Sequence, residues 1–142
     1  MHRRPLGNGR RLALIGAIVL VIGCLLPWYS VGGDGGLPEI VLRAFDTTGI
    51  ASFLAALATL ALIALPYAAG ERPVAIDRGV SFAILGAIAV AGVVLFPLIY
   101  PGILEALEGL LPASAYGFWI SALGAIILAR AAYDIWLEPP RR

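Results

Sequence analysis

Residues 80–100 read VSFAILGAIAVAGVVLFPLIY and include no charged side chain. A bilayer core about 30 Å thick is crossed by about 20 helical residues at 1.5 Å each, so this stretch is long enough to span it. Backbone polar groups find no water inside a bilayer and must bond to one another, and the stretch lacks the polar–apolar alternation of a barrel strand. We therefore predict a transmembrane helix here.

Three further stretches are long and apolar, and they are free of charged side chains except where the last extends past Ala129 to Trp136. Apolar residues make up 61% of the 142-residue chain and charged residues 13%, whereas a soluble domain has about 45–50% and 25%. We predict a single all-α domain, a four-helix transmembrane bundle. The predicted spans are residues 12–29, 49–69, 80–100 and 117–136, after a tail of residues 1–11. A net charge of +1 and the absence of a basic stretch disfavour a nucleic-acid partner.

The distribution of arginine predicts the orientation. Nine of the ten arginines lie before the first span, between the second and third, or in the last part of the fourth span and after it, and only Arg43 lies in the other loops. Positive residues stay on the cytoplasmic side during insertion, so both termini are predicted to be cytoplasmic. The two outer loops are acidic instead, with Asp34, Glu39, Asp46, Glu105 and Glu108.

Aromatic and charged residues near the ends of the spans are predicted to anchor the protein at the membrane interfaces. Trp28 and Tyr29 fall at the outer boundary and Trp136 at the inner one, the positions of an aromatic belt. Arg130 and Asp134 are four residues apart on one helix face, where they can pair. We interpret them as a helix-end anchor, with binding of a headgroup or a neighbouring subunit as the alternative.

Small residues spaced by four predict the faces along which the helices pack, because close approach drives helix association in lipid. These residues are Gly117, Ser121, Ala125 and Ala129 in the fourth span and Ala83, Ala87 and Ala91 in the third.

Prolines and loop residues predict how the spans end. Pro97 and Pro101 bracket the end of the third span, which is expected to kink or unwind near Phe96. Residues 103–111 have apolar positions at helical spacing, which predicts a short amphipathic outer segment between spans three and four. Residues 37–45 are apolar enough to fold back onto the outer face or to meet a partner.

The residues needed for most chemistry are missing. His2, in the tail, is the sole histidine, lysine is absent, and Cys24 is the sole cysteine. No carboxylate lies in residues 12–29, 49–69, 80–100 or 117–129, so we expect no cofactor, no metal site and no catalytic residue. An enzyme would need carboxylates from two outer loops, such as Asp46 with Glu105, and we rank this alternative last.

Cys24 has two interpretations. Val21-Ile22-Gly23-Cys24 resembles the lipobox of bacterial lipoproteins, in which the cysteine is acylated and becomes the new N-terminus. The residues that follow, Leu25-Leu26-Pro27-Trp28, are apolar rather than polar, and three more spans follow. We therefore favour a small apolar residue inside a helix.

The chain resembles small uncharacterised bacterial four-helix membrane proteins, whose first span likewise ends in a Leu-Pro-Trp element. Leu26-Pro27-Trp28-Tyr29, the glycine-rich loop and Asp46-Thr47-Thr48-Gly49-Ile50 carry the resemblance. It implies a bacterial inner-membrane location and no known activity.

The functional expectation is a non-catalytic accessory or scaffold subunit that packs against a larger membrane assembly. Its expected partners are the lipid bilayer and either another membrane protein or a second copy of itself. The alternative is an oligomeric channel or carrier for an uncharged or lipid-like solute, which would use the hydroxyls of Ser52, Thr59 and Ser121 and the helix break at Pro97 and Pro101.

Overall fold

The computed structural model describes residues 7–33, 35–36, 38–68, 77–101 and 115–138. Within these residues, four helices are long and apolar enough to cross a membrane, and the all-α prediction fits them. They are α1 (Asn8–Leu25), α2 (Gly49–Ala68), α3 (Arg78–Ile99) and α4 (Tyr116–Leu137). The predicted amphipathic segment at residues 103–111 and most of the predicted tail lie outside the described residues.

The first helix ends earlier than predicted, because of a proline. Leu26 is extended, with φ −85° and ψ 160°, which is the conformation that a following proline favours. Pro27 then begins strand β1 (Pro27–Val31), which pairs antiparallel with β2 (Ile40–Arg43). The prediction of a helix through residue 29 is therefore wrong for its last four residues. The hairpin itself was not predicted.

A compact turn connects the hairpin to the second helix. Residues 44–46 form a short 3₁₀ helix, and the Arg43 backbone N–H donates to Asp46 Oδ2 at 3.0 Å. At the other end of the bundle, the backbone N–H of Val80 donates to Asp77 Oδ1 at 3.2 Å and caps the start of α3.

Of the kink or unwinding expected near Phe96, the structure excludes the unwinding, because the third helix is continuous there. It continues to Ile99 with Pro97 inside its last turn, and the backbone N–H of Tyr100 donates to the Phe96 carbonyl at 3.1 Å. The N–H that Pro97 lacks would have bonded to the Val93 carbonyl, one turn earlier. Its absence therefore leaves the bond between Tyr100 and Phe96 intact.

The four helices run antiparallel in sequence order and close into a ring, because α4 packs against α1 as well as against α3. The end of this bundle that carries β1 and β2 is called the hairpin end. The opposite end, where α1 and α3 begin and α2 and α4 end, is called the arginine end. The contact between α1 and α4 is the most extensive of the helix pairs.

The buried positions recur at alternating spacings of three and four residues. This spacing averages 3.5 residues, and it keeps one seam facing the neighbouring helix over the whole length of a left-handed bundle. The seam of α1 consists of Gly9, Ala13, Gly16, Leu20 and Gly23, and that of α4 of Gly117, Ser121, Gly124, Leu128, Ala131 and Ile135.

Glycines bring the backbones of α1 and α4 into direct contact. A Cβ atom added at Gly16 would lie 2.8 Å from the Leu128 backbone nitrogen, and one added at Gly23 would lie 2.5 Å from that of Ser121. On α4, a Cβ atom at Gly124 would lie 2.5 Å from the Leu20 backbone nitrogen. No side chain fits at these positions, so glycine is required for this close approach.

Hydroxyl groups connect α2 to α3. Ser52 Oγ donates to the Ala89 carbonyl at 2.7 Å, and Thr48 Oγ1 donates to the Gly92 carbonyl at 2.8 Å. A Cβ atom at Gly92 would collide with the Ser52 hydroxyl. These bonds join the two helices near the hairpin end, where little water competes for them.

We expect the α1–α4 contact to be highly sensitive to a single methyl group. Gly23→Ala should lower the free energy of unfolding by about 1–3 kcal/mol, because overpacking forces the two backbones apart. Reversible unfolding of the purified protein in mixed detergent micelles measures this change.

Gly79→Ala is the matched control, because an added Cβ atom there lies 3.5 Å or more from its neighbours. It should be neutral or slightly stabilising, since alanine is the better helix former. Equal destabilisation by the two variants would contradict the assignment of α1–α4 as the critical contact.

Candidate functional site

The interior of the described bundle contains few polar side chains, and each of them is satisfied. The buried polar residues are Ser52, Thr59 and Ser121, and no buried side-chain nitrogen or oxygen of the described residues lacks a hydrogen-bond partner. Thr59 Oγ1 donates to the Ala55 carbonyl one turn earlier, at 2.8 Å. Within the described ranges, no group of three or more His, Cys, Asp or Glu side chains is placed to hold a metal ion.

Trp28 closes the hairpin end of the interior. The strand register shifts between Pro27 and Tyr29, so Trp28 has no partner in β2 and its side chain is completely buried. Its Nε1–H donates to Ser121 Oγ at 3.1 Å and to the Gly23 carbonyl at 3.2 Å. The indole thus links the hairpin to both α1 and α4.

Aromatic rings and glycines surround the indole. Phe96 and Phe118 pack edge-on against it, with ring centroids 5.2 and 5.6 Å away. A Cβ atom on Gly49 would lie 2.5 Å from Trp28 Cη2, and one on Gly117 would collide with the Pro27 carbonyl. All four helices therefore contribute to one packed cluster at this end.

The predicted interface anchors lie in different environments. Trp28 was predicted at the surface and is instead 0% exposed, because the hairpin directs it into the bundle. Tyr29 is half-buried, whereas Trp136, at the arginine end, is 55% exposed. Arg130 Nη2 and Asp134 Oδ1 are 3.2 Å apart, with exposed fractions of 65% and 36%, which is a surface ion pair worth about 0.3–0.5 kcal/mol.

The predicted packing residues of α4 lie mainly in the interior. Gly117, Ser121 and Ala125 are buried, and Ala129 is half-buried. A spacing of four residues advances about 40° per step around a helix, so such a stripe leaves the 3.5-residue seam. Gly124 and Leu128 take the seam positions beyond Ser121.

The predicted stripe of α3 lies beside its buried face, because Ala83 and Ala87 each follow a buried residue by one position, which is about 100° around a helix. Ala83 is half-buried, and Ala87 and Ala91 are exposed in the single chain. The buried seam of α3 is formed by Phe82, Gly86, Ala89, Val93 and Phe96 instead.

An open groove of about 750 Å³ lies where this exposed stripe meets α4. We call it the α3–α4 groove. Its floor is formed by Gly86 and Ala132, which nearly touch, since a Cβ atom on Gly86 would lie 3.2 Å from Ala132 Cβ. The remaining lining residues are Ala83, Ala87, Val90, Ala91, Val94, Ala129, Tyr133 and Trp136. The surface is apolar and shaped by small side chains, so it suits the close approach of another helix.

The remaining predicted site concerns Cys24. Its side chain is 0% exposed, its Sγ donates to the Gly49 carbonyl at 3.9 Å, and it accepts from Ser121 Oγ at 3.9 Å. Lipoprotein processing includes cleavage of the chain before Cys24, which would remove the part of α1 that carries Gly9, Gly16 and Gly23. The placement therefore favours the interpretation as a packed helix residue.

Comparisons of the chain with protein-family models, with curated proteins and with solved structures found no match. The resemblance to small bacterial four-helix membrane proteins therefore stays a prediction.

We expect the indole N–H of Trp28 to stabilise the hairpin end. Trp28→Phe removes both hydrogen bonds and should lower the free energy of unfolding by about 1–3 kcal/mol. A double-mutant cycle with Ser121→Ala should give a coupling energy of at least about 0.5 kcal/mol, because the two residues share a bond. Trp136→Phe is the matched control and should change stability by less than about 0.5 kcal/mol. If the effects of Trp28→Phe and Ser121→Ala on the free energy of unfolding were additive, the bond between the two residues would make no contribution to stability.

The intact mass of the chain isolated from its native membrane fraction should include residues 1–23 and no acyl group on Cys24. Maleimide should label the folded protein in mild detergent slowly, because the thiol is buried, and should label it rapidly after unfolding. A mature chain beginning at a diacylated Cys24 would refute this structure for the cellular form.

Proposed function

We propose that this chain is a non-catalytic integral protein of the bacterial inner membrane, with both termini cytoplasmic, that packs as an accessory or scaffold subunit against a larger membrane assembly. The observation that carries the proposal is the α3–α4 groove, a face of small residues that the chain's own bundle leaves open.

A location in the membrane is supported by the four apolar helices and by the charge at their two ends. The segments at the arginine end carry nine arginines and four acidic residues, or +5, and those at the hairpin end carry one arginine and five acidic residues, or −4. The sum is the net charge of +1. Since cytoplasmic loops are enriched in arginine, this asymmetry favours a cytoplasmic arginine end.

Lateral packing is supported by the shape of the groove. Lipid tails are as apolar as the side chains of a membrane helix, so the hydrophobic effect does not drive two helices together in a bilayer. Helices associate instead where small residues let their backbones approach closely. Ala83, Ala87 and Ala91 provide this surface on α3, and Gly86 deepens it. The partner that fits is a transmembrane helix lying along the α3–α4 groove.

The alternatives have less support. Ser52, Thr59 and Ser121 use their hydroxyls in bonds within the bundle, so they do not form the polar path that a channel needs. The carboxylate of Asp46 accepts a hydrogen bond from the Arg43 backbone N–H. Glu105, its suggested catalytic partner, lies outside the described residues. No observation favours the channel or the enzyme over the accessory subunit.

We expect a photo-crosslinking amino acid at position 87 to capture a specific membrane protein in native membranes. Filling the groove with Ala87→Leu in the chain should reduce co-purification of that protein by about tenfold or more, because a steric cost of about 1.4 kcal/mol corresponds to a factor of ten.

The matched control is position 64 on α2, where Ala64 is also exposed but does not line the α3–α4 groove. A crosslinker there should not capture the same protein, and Ala64→Leu should leave co-purification unchanged. Loss of the partner with both leucine variants, or with neither, would contradict the assignment of the groove as the contact surface.

A further inference from the structure

A second apolar groove, of about 490 Å³, lies between α2 and α3. We call it the α2–α3 groove. Its walls differ from those of the α3–α4 groove, because large aliphatic side chains form most of them. On α2 these include Leu62 and Leu65, and on α3 they include Ile84 and Leu85. The small residues Ala58, Ala61 and Ser81 leave space between these large side chains, and a flexible hydrocarbon chain can enter such a space, whereas the large side chains hold a second helix backbone away.

The α2–α3 groove extends toward the arginine end. Leu65 lies one turn before the end of α2 at Ala68, and Ser81 lies one turn after the start of α3 at Arg78. Residues spaced by three and seven share one face of a helix, so Arg78 lies on the same face as Ser81 and Leu85, directly beyond the end of the groove.

The guanidinium group of Arg78 is available to a ligand. The residue is exposed, and no carboxylate of the described residues lies within salt-bridge distance of it. Its neighbour Asp77 uses Oδ1 to accept the backbone N–H of Val80. By contrast, Arg130 on α4 is already paired with Asp134.

The charge of the whole end adds to the attraction for anions. The segments at the arginine end sum to +5, and each arginine near an anionic membrane surface contributes about a fivefold gain in binding. An apolar groove that leads to a free arginine at a basic end matches one kind of molecule, which has a hydrocarbon chain and a negatively charged headgroup.

We propose that the α2–α3 groove binds an anionic phospholipid, with one acyl chain between α2 and α3 and the phosphate on Arg78. This site rests on the membrane location but not on the partner proposed for the α3–α4 groove. The two grooves thus give α3 two different neighbours, a protein helix on one side and a lipid on the other.

The test uses the full-length protein reconstituted in phosphatidylcholine vesicles that contain a minority of phosphatidylglycerol. Native mass spectrometry then counts the lipids that remain bound to the chain. The wild-type protein should retain phosphatidylglycerol in preference to phosphatidylcholine. Arg78→Gln should reduce this preference about fivefold, and Ala61→Leu, which narrows the groove, should displace the bound lipid.

Two matched controls make the result specific. Arg11→Gln removes the same charge from an exposed position on α1, and Ala64→Leu adds the same volume to an exposed position outside both grooves. Ala64→Leu should retain lipid as the wild type does, and Arg11→Gln should lose much less of the preference for phosphatidylglycerol than Arg78→Gln, because no α1 residue lines the α2–α3 groove. The thermal unfolding midpoint of each variant, measured in the same vesicles, shows that the variants remain folded.

Three results would overturn the proposal. Equal retention of the two lipids would show that the headgroup is not recognised. Equal losses with Arg11→Gln and Arg78→Gln would show a general attraction of the arginine end. Displacement of phosphatidylglycerol by added inorganic phosphate would show that the site binds the anion without its acyl chain. None of these results bears on the partner captured at position 87, so the two proposals fail independently.

Discussion

The close antiparallel contact between α1 and α4 is the constraint on which the rest of this structure depends. Its glycines place two backbones against each other over the length of the bundle. Because dispersion forces rather than hydrophobic exclusion hold helices together in lipid, this contact area is the main source of stability available to such a chain. The ring of four helices, and hence the positions of α2 and α3, follows from the pairing of the first helix with the last. The Trp28 cluster then closes one end of the ring by joining the hairpin to both of these helices.

The buried hydroxyl groups and the buried indole N–H of the described residues all take part in hydrogen bonds within the bundle. Serine and threonine hydroxyls bond to carbonyls of the same or the neighbouring helix, and the one buried indole N–H of the described core is shared between a carbonyl and a hydroxyl. A buried polar group without a partner would be costly in a low-dielectric interior, and within the described residues none exists. At the surface of the bundle, α3 borders two apolar grooves, one with α4 that is lined mainly by glycine and alanine and one with α2 that is lined mainly by leucine and isoleucine.

Hydropathy predicted the four long helices of the described residues and most of their bounds. The length of an apolar stretch and its lack of charged residues can both be read directly from the sequence. Hydropathy did not predict which small residues face inward. Alanine is so frequent here that spacings of three, four and seven all occur, and only the partner helix decides between them. Ala87 and Gly86 are adjacent in sequence, yet one is exposed and the other meets Ala132. The predicted interface position of Trp28 was wrong for a related reason. A tryptophan that follows a membrane span usually lies at the interface, and nothing near it in the sequence indicates otherwise. The shift in strand register that turns it inward depends on β2, which is distant in sequence.

The pairing of α1 with α4 has a consequence for how the protein is made. Residues such as Gly16 and Leu128 are separated by most of the chain, so their contact forms only after the fourth helix has left the ribosome. Until then the glycine face of α1 has no permanent neighbour. A chain that stops before residue 116 lacks this neighbour altogether, and its first helix exposes a backbone-lined surface to the bilayer. During biosynthesis the α1–α4 contact is therefore the last to form, and α4 is the helix that completes the bundle.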